Sequence, residues 1–253
     1  MMRRARIFGF LGFAVSAVLL AGCSDSADTV VGPIRGEGKD RMPSRTAEDW
    51  VTYADHVVIA SPTKESEVVP SRSEMDRGEG MIGRDVRMKV EKVLWSRSDP
   101  AQPAPTTWQR SSSGWVFKEG DLDNRTEYAL AERPRIELGH HYIIALAWRG
   151  ATCSEGDPEE PARWVGLGEG STVPYDDDTI GQGEMEGGEQ SAEEVAAALT
   201  GSDDPVPRLE DELAGKSADA LVAALKAARP TVASRSEAPA ARALASNCEQ
   251  SAG

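Results

Sequence analysis

Arg84-Asp85-Val86-Arg87-Met88-Lys89-Val90-Glu91-Lys92-Val93-Leu94-Trp95 is the stretch that decides the fold. Val86, Met88 and Val90 alternate with charged residues, the period-two pattern of a strand with one buried face. The alternation then slips, because Val93 and Trp95 continue the apolar set where position 92 is due. One extra residue at Glu91-Lys92 predicts a β-bulge, which coils a strand sharply. Long strands bent in this way are what a small barrel needs.

Upstream of this strand, His56 to Ala60 is a β-branched run closed by Ser61-Pro62, a second buried strand. Residues 64–83 between the two are polar and Gly-rich and are expected to be loop. Before them, Thr46-x-x-Asp49 is a capping box. It opens a short helix with Ala47, Trp50, Val51 and Ala54 on one face. Downstream, residues 99–113 are rich in Pro, Ser and Thr and read as loop. Gly114 to Lys118 and Glu127 to Ala131 follow as strands. Arg135 to Leu138 and His141 to Trp148 form the most apolar stretch, with a turn at Leu138-Gly139-His140. Tyr142, Ile144, Leu146 and Trp148 share one face, while His141, Ile143, Ala145 and Ala147 share the other. A strand apolar on both sides belongs at the centre of a sheet. Trp164 to Leu167 and Ser171 to Tyr175 add two short strands.

Six or seven short strands preceded by one helix predict a mainly β fold, a small OB-like barrel or sandwich, over residues 42–190. Helices follow. Ser191-x-x-Glu194 caps a run with Ala192, Val195, Ala196 and Leu199 on one face. Asp204-Pro205 opens a second helix that ends at Gly215. Ser217 starts a third, aligning Leu221, Ala224, Leu225 and Ala228 before Pro230. Residues 191–230 therefore form a helical C-terminal appendage, and the Ala-, Ser- and Pro-rich residues 231–253 a disordered tail.

The first residues set the location. Three arginines and no acid lie within residues 1–6, and Ile7 to Leu20 carry no charge. That is the n-region and h-region of a secretory signal, shorter than the ~20 residues a spanning helix needs. Leu20-Ala21-Gly22-Cys23 follows, and residues 24–41 are a Gly-, Asp- and Ser-rich flexible tether.

Residues 1–23 resemble the signal and lipobox of bacterial lipoproteins. The resemblance implies cleavage between Gly22 and Cys23, a diacylglyceryl thioether on Cys23, and palmitate-type acylation of the new amino group. One acyl chain holds a protein only marginally, whereas two or more anchor it. The protein would then sit on the outer face of the cytoplasmic membrane or cell envelope. The body is similar to uncharacterised secreted proteins of high-GC bacteria. The helix, the Ala54-Asp55-x-Val57-Val58 strand and the bent strand around Val90 are similar in pattern to netrin-type OB domains of secreted inhibitors.

Composition narrows the partners. The chain has 253 residues, 28 Lys+Arg and 42 Asp+Glu, a formal charge of −14. Removing residues 1–22 takes three arginines, leaving 25 against 42, or −17. Such a surface excludes a nucleic-acid partner that tracks phosphates. Three His and three Cys are too few for a multi-ligand zinc scaffold. With Cys23 acylated, Cys153 and Cys248 remain, either as a disulfide joining the tail to the body or as two free thiols.

Several motifs fail on context. Gly78-x-Gly80-x-x-Gly83 opens a strand, whereas a dinucleotide loop opens a helix. Gly215-Lys216-Ser217 lacks the first P-loop glycine, since position 210 is glutamate. Ser61-x-x-Lys64 matches a penicillin-binding nucleophile motif without its Ser-Asp-Asn or Lys-Thr-Gly partners. His140 and His141 are adjacent, so on a strand their rings point to opposite faces. Residues 150–194 hold thirteen acids and only Arg163. Within them Asp176, Asp178 and Glu184 are candidate calcium ligands, although Ile180 and Gly187 break an EF-hand loop.

The reading is a lipid-anchored extracytoplasmic module that binds a protein or envelope ligand without catalysis and without a cofactor. A cell-envelope hydrolase is the alternative, marked by a pocket with two carboxylates or by a Ser–His contact at His56 or His141. A calcium-dependent structural lipoprotein is the third. An exposed apolar patch favours the interaction module.

Overall fold

The computed structural model describes residues 32–37, 40, 42–153, 160–200 and 206–231. The signal peptide, Cys23 and Cys248 lie outside them. The described elements are β1 (Ile34–Gly36), α1 (Ala47–Tyr53), β2 (His56–Val68), α2 (Arg72–Arg77), β3 (Gly80–Ser96), β4 (Thr107–Lys118) and β5 (Asp121–Leu130). They continue with β6 (Tyr142–Arg149), β7 (Arg163–Gly166), β8 (Thr172–Pro174), β9 (Gly183–Met185), β10 (Gly188–Gln190), α3 (Ala192–Thr200), α4 (Leu209–Leu213) and α5 (Ala218–Ala227).

The fold is mainly β, with its helices concentrated towards the C-terminus. One sheet runs β1-β5-β4-β3-β2-β6-β7, with β8 also on β6, and β9–β10 form a separate hairpin. Among the described strand pairs only β1–β5 is parallel. The sheet curls until β4 and β7 meet across its interior, where Trp108 and Trp164 share one cluster. Among the described residues no ladder closes the ring, so the barrel-like body is a curled open sheet.

The bulge falls where the sequence places it. Ile59 pairs Lys92 and Ala60 pairs Val90, which leaves Glu91 as the extra residue. A second slip separates Val57/Trp95 from Val58/Val93 and leaves out Leu94. The two slips carry β3 from one face to the other. Val90 packs inside the curl with Val86 and Met88, whereas Leu94 and Trp95 pack against the helices. Val93, expected inside, is exposed.

Strand β6 is central and two-faced, as its sequence requires. Tyr142, Ile144 and Leu146 enter the interior cluster; Ile143, Ala145 and Ala147 face Trp50, Leu209, Leu213, Leu221 and Leu225. α4 and α5 thus cover one of the two core clusters. Burying each large apolar side chain contributes about 1.5–3 kcal/mol. The capping box of α1 forms, with the Asp49 amide donating to Thr46 Oγ1 and the Thr46 amide to Asp49.

Several expectations need correction. Residues 64–83 are not loop: β2 runs on to Val68, α2 follows, and β3 begins at Gly80. Half of residues 99–113 is strand, since β4 starts at Thr107. Glu119 and Gly120, both at positive φ, make the tight β4–β5 turn, the geometry that hairpin twist favours. The strand expected over Arg135 to Leu138 is an irregular strap, with Ile136 buried at φ +65°. β1 lies within the expected tether and adds to β5. α4 begins after Arg208, the expected start at Asp204-Pro205 lying outside the described residues, and Gly215 turns left-handed beyond it as expected.

Candidate functional site

The three candidate calcium ligands do different work. Glu184 on β9 is 2 % exposed. Its Oε1 accepts from the amides of Arg135 (2.9 Å) and Gly187 (2.8 Å). Its Oε2 accepts from the Ile136 amide (2.9 Å) and the Tyr142 hydroxyl (2.8 Å). Burial, with the Glu184 charge beside it, holds the Tyr142 phenol far above its ordinary value, so it stays a donor. Asp176 instead accepts from His140 Nδ1 (2.6 Å) and the His141 amide (2.7 Å). Burial alone would lower the His140 imidazole, but the Asp176 contact, with Glu189 and Glu184, outweighs it and raises it. Asp178 is exposed at the turn, at φ +54°. Among the described residues no group of three or more His, Cys, Asp or Glu is arranged to hold a metal ion. The two histidine rings converge on Asp176 instead of opposing each other, because His140 precedes the strand and is free of its alternation.

Glu184 fastens the strap, and two buried arginines finish it. Arg84, 1 % exposed, donates from Nε to Ser113 O, from Nη1 to Glu65 and Glu137, and from Nη2 to Arg135 O. Arg135 pairs with Glu137 and donates to Gly114 O. Both guanidiniums lie over the Trp115 ring with Arg125. Buried charges persist only when paired and hydrogen-bonded, and here every partner is strap or strand. The network is a structural lock.

A second constellation pairs a buried histidine with a serine. His56 opens β2 and Ser96 closes β3, and the bulged register sets them opposite each other. His56 is 2 % exposed, whereas Ser96 is exposed. His56 Nδ1 lies 2.8 Å from Ser96 Oγ, and Nε2 lies 2.9 Å from the Gln102 carbonyl oxygen. A carbonyl only accepts, so Nε2 is the donor there, and in that tautomer Nδ1 accepts from the Ser96 hydroxyl. Asp55 fixes the carbonyl's loop. Its carboxylate accepts from the Ala101 amide (3.1 Å) and the Trp148 amide (2.8 Å), tying that loop to β6. The His56 ring lies 5.4 Å from that of Trp164, which meets Trp148 edge-on at 5.2 Å.

Sequence reasoning named His56 but missed Ser96, Gln102 and Asp55. The available signal was Asp55-His56 at the head of a strand whose partner ends in serine. Ser61, in the S-x-x-K motif, lies on β2 and donates to Glu91, with no helix to aim Lys64. A groove of about 230 Å³ between α1, the end of β3 and α5 is lined by Arg97 and Lys226 and by no carboxylate. Cys153 is disulfide-bonded, its partner lying outside the described residues.

The far end of the β2–β3 pair, where β4 still flanks β3, forms an arm. Val68, opposite Gly83 in register, Val69 and Met81 are all exposed at its end. No described helix is long and apolar enough to cross a membrane. No protein-family model, curated protein or solved structure matches the chain.

Proposed function

We propose that this chain is a lipid-anchored extracytoplasmic interaction module. The lipobox Leu20-Ala21-Gly22-Cys23, closing an uncharged h-region, carries the reading. Acylation at Cys23 consumes that thiol and leaves Cys248 as the partner of disulfide-bonded Cys153. The arm supplies the contact surface, because Val68, Val69 and Met81 are exposed together at its end. The Cys23→Ala variant tests the anchor: it is expected to leave the membrane fraction and to lack the added acyl mass. A variant that stays with membranes as firmly as the parent refutes the proposal. A photo-crosslinker at Val69 tests the arm, with one at exposed Glu193 as control. Equal adduct yields from the two positions overturn the arm's role.

A further inference from the structure

We propose that Ser96 is a nucleophile and His56 its general base, and that the pair cleaves carboxylic esters with apolar substituents. The elements of an activated serine are present together. Ser96 is exposed, and its hydroxyl lies 2.8 Å from the base nitrogen. The base is held by a third group, the Gln102 carbonyl at 2.9 Å, which leaves Nδ1 as the acceptor. Asp55 is a positioning residue that pins the carbonyl's loop through the Ala101 and Trp148 amides.

The contact satisfies the buried Nδ1, and the same arrangement is what nucleophilic attack by a serine needs. Ser96 Oγ bonds to the ester carbonyl carbon as its proton passes to His56 Nδ1. The carbon–oxygen bond to the alcohol breaks, and the departing oxygen takes that proton. Water then attacks the acyl-serine with His56 again as base, releasing the acid and restoring Ser96. Trp164 beside the imidazole, with Trp148 behind it, favours an apolar acyl or aryl group. The acidic surface disfavours anionic esters such as phosphodiesters.

The proposal is independent of the lipid anchor, and its test uses the full chain in detergent. A fluorophosphonate ester phosphonylates activated serines, and peptide mass locates the adduct. Ser96 is expected to label at least about 100-fold faster than exposed Ser98, two residues along, matching the ~10²–10⁴ that a positioned base supplies. His56→Gln is expected to abolish that excess. Ser96→Ala, an exposed change with an unaltered melting curve, is expected to abolish the labelling and the hydrolysis of p-nitrophenyl esters. Equal labelling of Ser96 and Ser98, or ester hydrolysis unchanged in Ser96→Ala, overturns the proposal.

Discussion

Glu184→Gln separates a structural carboxylate from a metal ligand and from a merely tolerated buried charge. The amide keeps one acceptor oxygen and replaces the other with a donor. Four donors surround the carboxylate, two on each oxygen. The cheaper orientation turns the new NH₂ towards the Oε2 side. There the Tyr142 hydroxyl can rotate to accept, but the Ile136 amide cannot. One buried N–H is stranded, and the contacts on the remaining oxygen lose their charge assistance. With about 1–3 kcal/mol for the stranded donor and a smaller loss on the others, the total is about 3 kcal/mol. For a chain of this size that lowers the melting temperature by about 6–12 °C. Thermal unfolding followed by circular dichroism reads it directly. Removing a buried charge can instead stabilise a protein when its pairing is poor. A Gln variant melting within about 2 °C of the parent, or above it, would therefore refute the claim that Glu184 locks the strap.

Glu210 predicts the opposite sign. Burial raises its carboxyl above 4.5, outweighing Arg208 and the Gln190 amide that donates to it. The folded state then keeps a proton that the unfolded chain gives up, so stability falls as pH rises from about 4.5 through the raised value. Glu210→Gln is expected to melt above the parent at pH 7 and level with it at pH 4; a difference independent of pH contradicts this. At Gly114 a Cβ would stand 2.1 Å from the Ile82 carbonyl oxygen. Gly114→Ala should cost at least about 2 kcal/mol in urea unfolding, and an unchanged midpoint would show that the β3–β4 contact relaxes freely.

What was legible in the sequence was whatever a buried face imposes on its order. His141 to Trp148 reads as central because both faces are buried. Glu91 reads as a bulge because a period of two cannot skip a residue without one. Ser61 to Val68 and Thr107 to Ser113 escaped for the converse reason. Much of their length is exposed, so no burial pattern marks them as strand. The strap misled differently. Arg135 to Leu138 is apolar enough to resemble strand, yet its amides turn to a carboxylate about fifty positions away, and Ile136 adopts a backbone that composition cannot announce.

The same logic explains why the reactive pair was half seen. His56 stands out in any reading of so few histidines, but its partner is fixed by two register slips counted along β3, each shifting the pairing by one. Without the slip that leaves out Glu91 or the one that leaves out Leu94, residue 96 would not stand opposite residue 56. The bulges that coil the sheet into its barrel-like curl are therefore also what bring the serine to the imidazole. Deleting Leu94 removes only the unpaired residue, so that variant should lose local coil yet keep Ser96 opposite His56 and the rest of the β2–β3 register.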